Sequence, residues 1–89
     1  MAQQLHFVYL VRYVEHGRIK YYRGETVDLQ RRKREHQKGY KPWEGDQFDA
    51  MRSITSYETL AEAMAWERRV GNIDHEAKVS LWNSGVDVA

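Results

Sequence analysis

The sequence predicts an α+β fold, a small three-stranded antiparallel sheet flanked by three helices. A period-two run of β-branched and aromatic residues opens the chain, and Asp28, Thr59 and Asp74 each stand before a stretch of helix formers. Turn residues between these stretches leave the order strand, strand, helix, strand, helix, helix. At 89 residues there is room for one domain, spanning 1–89, and a composition 42% hydrophobic and 12% aromatic is enough to build its core.

Leu5 to Tyr13 form the first predicted strand. Leu5, Phe7, Tyr9, Val11 and Tyr13 alternate with His6, Val8, Leu10 and Arg12, and both sets are largely apolar, which points to a central strand. Glu15-His16-Gly17 supplies turn chemistry, and Arg18 to Arg23 return as the second arm of a hairpin that ends at Gly24. Asp28 caps a helix over Leu29–Lys38, with Gly39 placed to end it. On this helix Leu29, Arg32 and His36 fall within about 60° of one another, so the only aliphatic residue shares its face with a guanidinium and an imidazole, which is poor core material. Tyr40 to Asp46, with Pro42 and Gly45, read as a loop, and Gln47 to Ile54 as the third strand. Thr59 and Glu62 fit a capping box that opens a helix over Leu60–Val70, ended by Gly71. Asp74 caps a last helix from His75 to Asn83, with Ala77, Leu81 and Trp82 facing inward.

The absence of cysteine excludes disulfides, thiolate zinc sites, iron–sulfur clusters and cysteine nucleophiles. No stretch approaches the roughly 20 apolar residues of a membrane span, and Met1 to Leu10 lack the pattern of a signal peptide, so a cytoplasmic protein with no membrane partner is expected. A net charge of +1 argues against binding nucleic acid by bulk electrostatics. Arg23, Arg31, Arg32, Lys33, Arg34 and Lys38 are nevertheless crowded into one segment, where they form a local basic patch.

Three groups of residues could carry chemistry. Glu67 falls in the middle of the stripe that Leu60, Ala63 and Met64 make on the second helix, where an ionised carboxylate is costly unless a cation or hydrogen-bond donors meet it. An internal ion pair with an arginine would meet that need, and so would a bound metal ion. Arg32 and His36 are four residues apart on the first helix, hence neighbours able to act on one phosphate or one proton transfer. Tyr9 and Tyr22 lie on adjoining strands, where tyrosines most often serve packing.

Taken together, Phe7-Val8-Tyr9, Tyr22-Arg23-Gly24, Asp28-Leu29 followed by Arg32 and His36, and Ala63 with Glu67 and Lys78 beyond resemble the GIY-YIG nuclease domain over nearly the whole chain. The resemblance implies a metal-dependent endonuclease that hydrolyses DNA phosphodiester bonds, in a family that includes excision-repair, homing and restriction nucleases. It implies that Glu67 anchors a single Mg²⁺ or Mn²⁺ and that Arg32 stabilises the charge of the transition state. By the same resemblance Tyr9 accepts a proton from the attacking water, Tyr22 orients that water or the phosphate, and His36 relays the proton. Gly24 would let the backbone turn between strand and helix without crowding the phosphate. Asn83 is the candidate for the asparagine that many members carry, at a different spacing from Glu67.

Arg23, Arg31, Lys33, Arg34 and Lys38 flank this site as phosphate contacts, which position a nucleic acid without reading its sequence. The chain departs from the family's pattern at Glu25, where many members carry Lys or a small residue, and at Lys33, which replaces a large apolar residue. No reader module follows before Ala89, so specificity is expected from DNA structure, a partner protein or a homodimer, with RNA left open beside DNA. Two rival readings keep the fold. One is a non-catalytic nucleic-acid-binding module, the other a protein-interaction domain in which Glu67 pairs with Arg32 and the tyrosines are core.

Overall fold

Strand β1 (His6–Glu15) needs cover on both faces, because Val8 and Leu10 point one way, Tyr9, Val11 and Tyr13 the other, and all five are buried. In the computed structural model, which describes residues 4–39, 43 and 45–89, that cover comes from helices on either side of an antiparallel sheet. β1 is followed by β2 (Arg18–Thr26), α1 (Leu29–Gln37), a single 3₁₀ turn (Gly45–Gln47) and β3 (Phe48–Tyr57). The chain then forms α2 (Leu60–Gly71), α3 (His75–Ser84) and β4 (Val86–Asp87). The strand order is β2-β1-β3-β4, so β1 is central, as its two apolar faces require.

The fold class and the three helices match the expectation, and the strand count is corrected from three to four. β4 consists of two residues paired with Arg52 and Ser53 of β3, too short to carry a periodic signal. The residue after it is tied down as well, since Val88 donates its backbone N–H to Met51 O (3.0 Å) and Lys33 Nζ donates to Val88 O (2.7 Å). β2 also runs through Gly24 to Thr26 instead of ending at Gly24, and β3 continues to Tyr57. Of the loop expected over 40–46, residues 40, 41, 42 and 44 lie outside the described residues.

Local chemistry sets the element ends. His16 and Gly17, with φ of 53° and 74°, close the β1–β2 hairpin as a two-residue turn whose twist suits the strands. Asp28, Thr59 and Asp74 accept the backbone N–H groups of Arg31, Glu62 and Ala77, capping α1, α2 and α3 in turn. Against β1, strand β3 shifts register between the partners of Val8 and Tyr9, leaving Ile54 as an extra residue opposite the step.

Strand alternation divides the core. On one face Tyr9, Val11, Tyr13 and Met51 pack with Trp43, Tyr22 and Leu29 beneath α1; on the other Leu10 packs with Val70 and Trp82 beneath α2 and α3. Each buried aromatic removes about 150–250 Å² from water, an upper limit of about 4–6 kcal/mol, so a chain this short gains much of its cohesion from Tyr9, Trp43 and Trp82. The face of α1 that looked too polar for a core is buried after all, with His36 0% exposed. Aromatic rings and hydrogen bonds receive it, which the helix pattern by itself does not reveal. On α2 the expected stripe is also corrected. Leu60 and Met64 are 50% and 37% exposed, and the inward face is Ala63, Glu67 and Val70. Among the described residues no helix is long and apolar enough to cross a membrane.

Candidate active site

The site is organised by a missing side chain. Gly24 lies opposite Tyr9 in the β1–β2 ladder, and a Cβ on it would run into the hydroxyl and Cζ of the Tyr9 ring, with Cε2 at 2.8 Å. The phenol therefore lies across the backbone of β2, an edge strand, and its hydroxyl reaches the rim of the sheet where α1 passes. This corrects the role expected for Gly24. It sits inside a strand with no left-handed φ, and it makes room for a ring instead of making a turn.

At the rim, Tyr9 Oη and His36 Nε2 share a 2.8 Å hydrogen bond, buried on both sides. His36 is held in turn by rings: Trp43 at 4.7 Å between centroids, Tyr9 at 5.6 Å and Tyr22 edge-on at 6.0 Å. Trp43 Nε1 also donates to the backbone carbonyl of His36 (2.9 Å) and stacks on Tyr13. Burial drives the Tyr9 phenol well above its ordinary range, and a hydrogen bond from Arg32 with that residue's positive charge offsets only part of the rise. Arg32 is itself oriented by Glu35, whose Oε1 accepts from its Nε at 3.0 Å.

Glu67 approaches from the opposite face of the sheet. It is half-buried on the inward side of α2, between Ala63 and Val70, and its carboxylate makes no hydrogen bond or ion pair with any described residue. The ion pair with an arginine that the sequence left open is therefore absent among the described residues. Burial raises the carboxyl above its usual range; the charges of Arg23, Arg32 and Arg68 pull it back, and that of Glu25 adds to the rise. Tyr9 in turn feels the charge of Glu67. Tyr9 and Arg32 thus sense the charge of Glu67 from the other face of the sheet, and no hydrogen bond or ion pair among the described residues joins Glu67 to Tyr9, Tyr22, Arg32 or His36.

A cleft of about 240 Å³ opens beside Arg32, walled by His6, Glu25, Thr26, Arg31, Glu35 and Leu60. Glu25, the residue that departs from the family pattern, is turned toward His6, with Nδ1 and Oε2 3.0 Å apart. The other sequence candidates scatter. Arg31 is exposed at the wall of this cleft, and Arg34 and Lys38 are exposed on α1 and beyond its end without lining it. Lys33 is directed to Val88 O, away from Arg32, and ties α1 to the C-terminal strand. Asn83 is exposed in the last turn of α3, with no hydrogen bond to Tyr9, Tyr22 or Glu67. Trp43 was not singled out from the sequence, because a tryptophan next to Pro42 in a loop shows no periodicity that would mark it as core.

The donor set restricts which metal the site suits. Among the described residues no cluster of three or more His, Asp or Glu side chains could hold an ion. One carboxylate with uncommitted oxygens suits Mg²⁺ or Mn²⁺, which keep several waters and take phosphate oxygens, and does not suit zinc, which asks for three or four protein ligands.

A protein-family model described as the GIY-YIG catalytic domain matches residues 5–75. No curated protein and no solved structure matches the chain.

Proposed function

The chain belongs to the GIY-YIG catalytic domain family, a family of endonucleases that act on DNA, and from that premise we propose that it is a metal-dependent DNA endonuclease whose chemistry rests on Tyr9, Tyr22, Arg32, His36 and Glu67. One observation carries the reading: a half-buried carboxylate with no partner among the described residues lies within electrostatic reach of a hydrogen-bonded Tyr9–His36 pair and of Arg32. A structural domain has no reason to leave Glu67 uncommitted, since a lone buried charge costs stability.

Glu67 would hold a divalent cation such as Mg²⁺ or Mn²⁺, which would supply positive charge for the scissile phosphate and for the departing oxygen until that oxygen takes a proton from solvent. Arg32 supplies a second positive charge matched to phosphate geometry, developed where the transition state gathers negative charge. Water forms the new P–O bond while the bridging P–O bond breaks, and its proton passes to Tyr9. Because burial opposes a free phenolate, Tyr9 releases its own proton to His36 Nε2 in the same motion, acting as a conduit and not as a resident base. This requires the His36 tautomer whose Nε2 carries no proton. Tyr9 is only 1% exposed, so the site must open before water reaches the hydroxyl.

Residues 1–89 act as one nuclease domain. Arg31, Arg34 and Lys38 hold flanking phosphates, and specificity comes from DNA structure, a partner protein or a homodimer. The test is incubation with a panel of labelled plasmid, branched and single-stranded DNA in Mg²⁺, Mn²⁺ or chelator. We expect cleavage that needs the metal and falls at least ~100-fold in Arg32→Ala, the scale for removing a transition-state charge stabiliser. Cleavage unaffected by chelator, or by loss of the guanidinium, contradicts the mechanism.

A further inference from the structure

Arg23 occupies the middle of Tyr22-Arg23-Gly24. Strand alternation directs it to the face covered by α2, with its Cζ still 6.0 Å from the centroid of the Tyr22 ring. There its guanidinium lies so close over Gly71 that a Cβ on that glycine would meet Nε at 2.7 Å, Cζ at 2.9 Å and one terminal nitrogen at 3.0 Å. Its Nε is the one buried side-chain nitrogen or oxygen among the described residues that has no hydrogen-bond partner. No ion pair or hydrogen bond engages the rest of the guanidinium within the described residues either. Unpaired buried donors are rare because they are costly, so each one calls for an explanation.

The explanation lies one helical turn away. Glu67 and Gly71 are four residues apart on α2 and share its inward face. Arg23 and Glu67 therefore lie on the same side of β2, beneath α2, opposite in charge and each without a side-chain hydrogen bond or ion pair among the described residues. A guanidinium and a carboxylate that each lack a hydrogen-bonded partner and sense each other's charge suit a group that satisfies both at once. A phosphate whose oxygens meet a guanidinium on one side and a carboxylate-held cation on the other is such a group.

We propose that Arg23 is a substrate-positioning residue that couples metal binding at Glu67 to phosphate binding. Without DNA its positive charge occupies the neighbourhood of Glu67 and weakens the hold on a divalent cation. When DNA binds, a phosphate oxygen takes the guanidinium, the repulsion is relieved, and cation and DNA bind cooperatively. Linkage makes the effect reciprocal, so the cation tightens DNA by the same factor that DNA tightens the cation. Of the cations acting on Glu67, Arg23 is the first in effect and the one that lies over the inward face of α2 at Gly71. The inference rests on the proposed nuclease reading and adds the order in which its parts assemble.

The test is Mn²⁺ binding by the full chain, read from the loss of the free-ion paramagnetic resonance signal, with and without a short phosphorothioate DNA duplex. Wild type should bind weakly alone and about tenfold more tightly with the duplex. Arg23→Met should bind Mn²⁺ more tightly than wild type without DNA and lose the gain on adding it, while Arg23→Lys keeps part of the coupling. Gly71→Ala, whose Cβ must displace the guanidinium, should reduce the coupling as well, which separates the effect from unfolding of the Arg23 variants. Equal Mn²⁺ affinity and equal coupling in wild type and Arg23→Met overturn this inference and leave the nuclease reading standing. Mn²⁺ binding that Glu67→Gln does not weaken overturns both.

Discussion

At Gly24 the absence of one carbon atom decides where a phenol can lie. Gly24→Ala pushes the Tyr9 ring off β2 and breaks its bond to His36, and overpacking of this kind typically costs about 1–3 kcal/mol. The expected result is a lower melting temperature together with a fall in cleavage rate; an unchanged rate would separate the Tyr9 position from catalysis. Glu67 makes the opposite trade. Burial raises its folded-state pKa, so the folded protein binds that proton more tightly than the unfolded chain does. Its contribution to stability is then complete below the ordinary carboxyl value of 4.5 and is lost as pH rises through the raised value. Glu67→Gln should accordingly melt higher than wild type at neutral pH, and the advantage should vanish in acid. A lower melting temperature at neutral pH would restore the structural ion pair as the role of Glu67. Tyr9, Tyr22, Arg32, His36 and Glu67 are legible as a candidate set through the resemblance to the GIY-YIG domain, each by itself leaving a structural role open. What Gly24 avoids and what Arg23 faces depend on neighbours distant in sequence, and no spacing rule reports them.

Elements show the same division between local and distant causes. The caps at Asp28, Thr59 and Asp74 and the His16-Gly17 turn are legible because their hydrogen bonds and dihedral angles involve adjacent residues. The inward face of α2 is not, because periodicity ranks Leu60 and Met64 above Glu67 whereas the sheet beneath offers room only for Ala63 and Val70 beside it. Helix α1 packs through His36, and that contact depends on Trp43, which is buried against the imidazole and bonded to its carbonyl. Trp43→Ala should cost about 3–5 kcal/mol, as for other large-to-small core changes, and slow cleavage further by loosening His36. Chemical denaturation and single-turnover rates measured together check both. Full activity in a destabilised variant would show that Trp43 serves packing alone.

Over the whole molecule, a net charge of +1 leaves little long-range attraction for DNA, and the proposed nuclease reading assigns the affinity to the cations placed around the β2 rim and α1. Their positions divide them. Arg31, Arg34 and Lys38 are exposed, so replacing each by Ala should lower the salt dependence of DNA binding by roughly one released counterion, whereas Lys33→Ala should leave that slope unchanged and loosen the C-terminal strand. Equal slopes for all four would place the contact surface elsewhere. The central claim is that both faces of the sheet contribute to one hydrolytic centre. Its most direct test is single-turnover cleavage of supercoiled DNA in Mn²⁺ by wild type and Glu67→Gln, with circular dichroism of the same samples. Cleavage by wild type and its loss in a fully folded Glu67→Gln is the predicted result; a folded Glu67→Gln that cuts at the wild-type rate would contradict it.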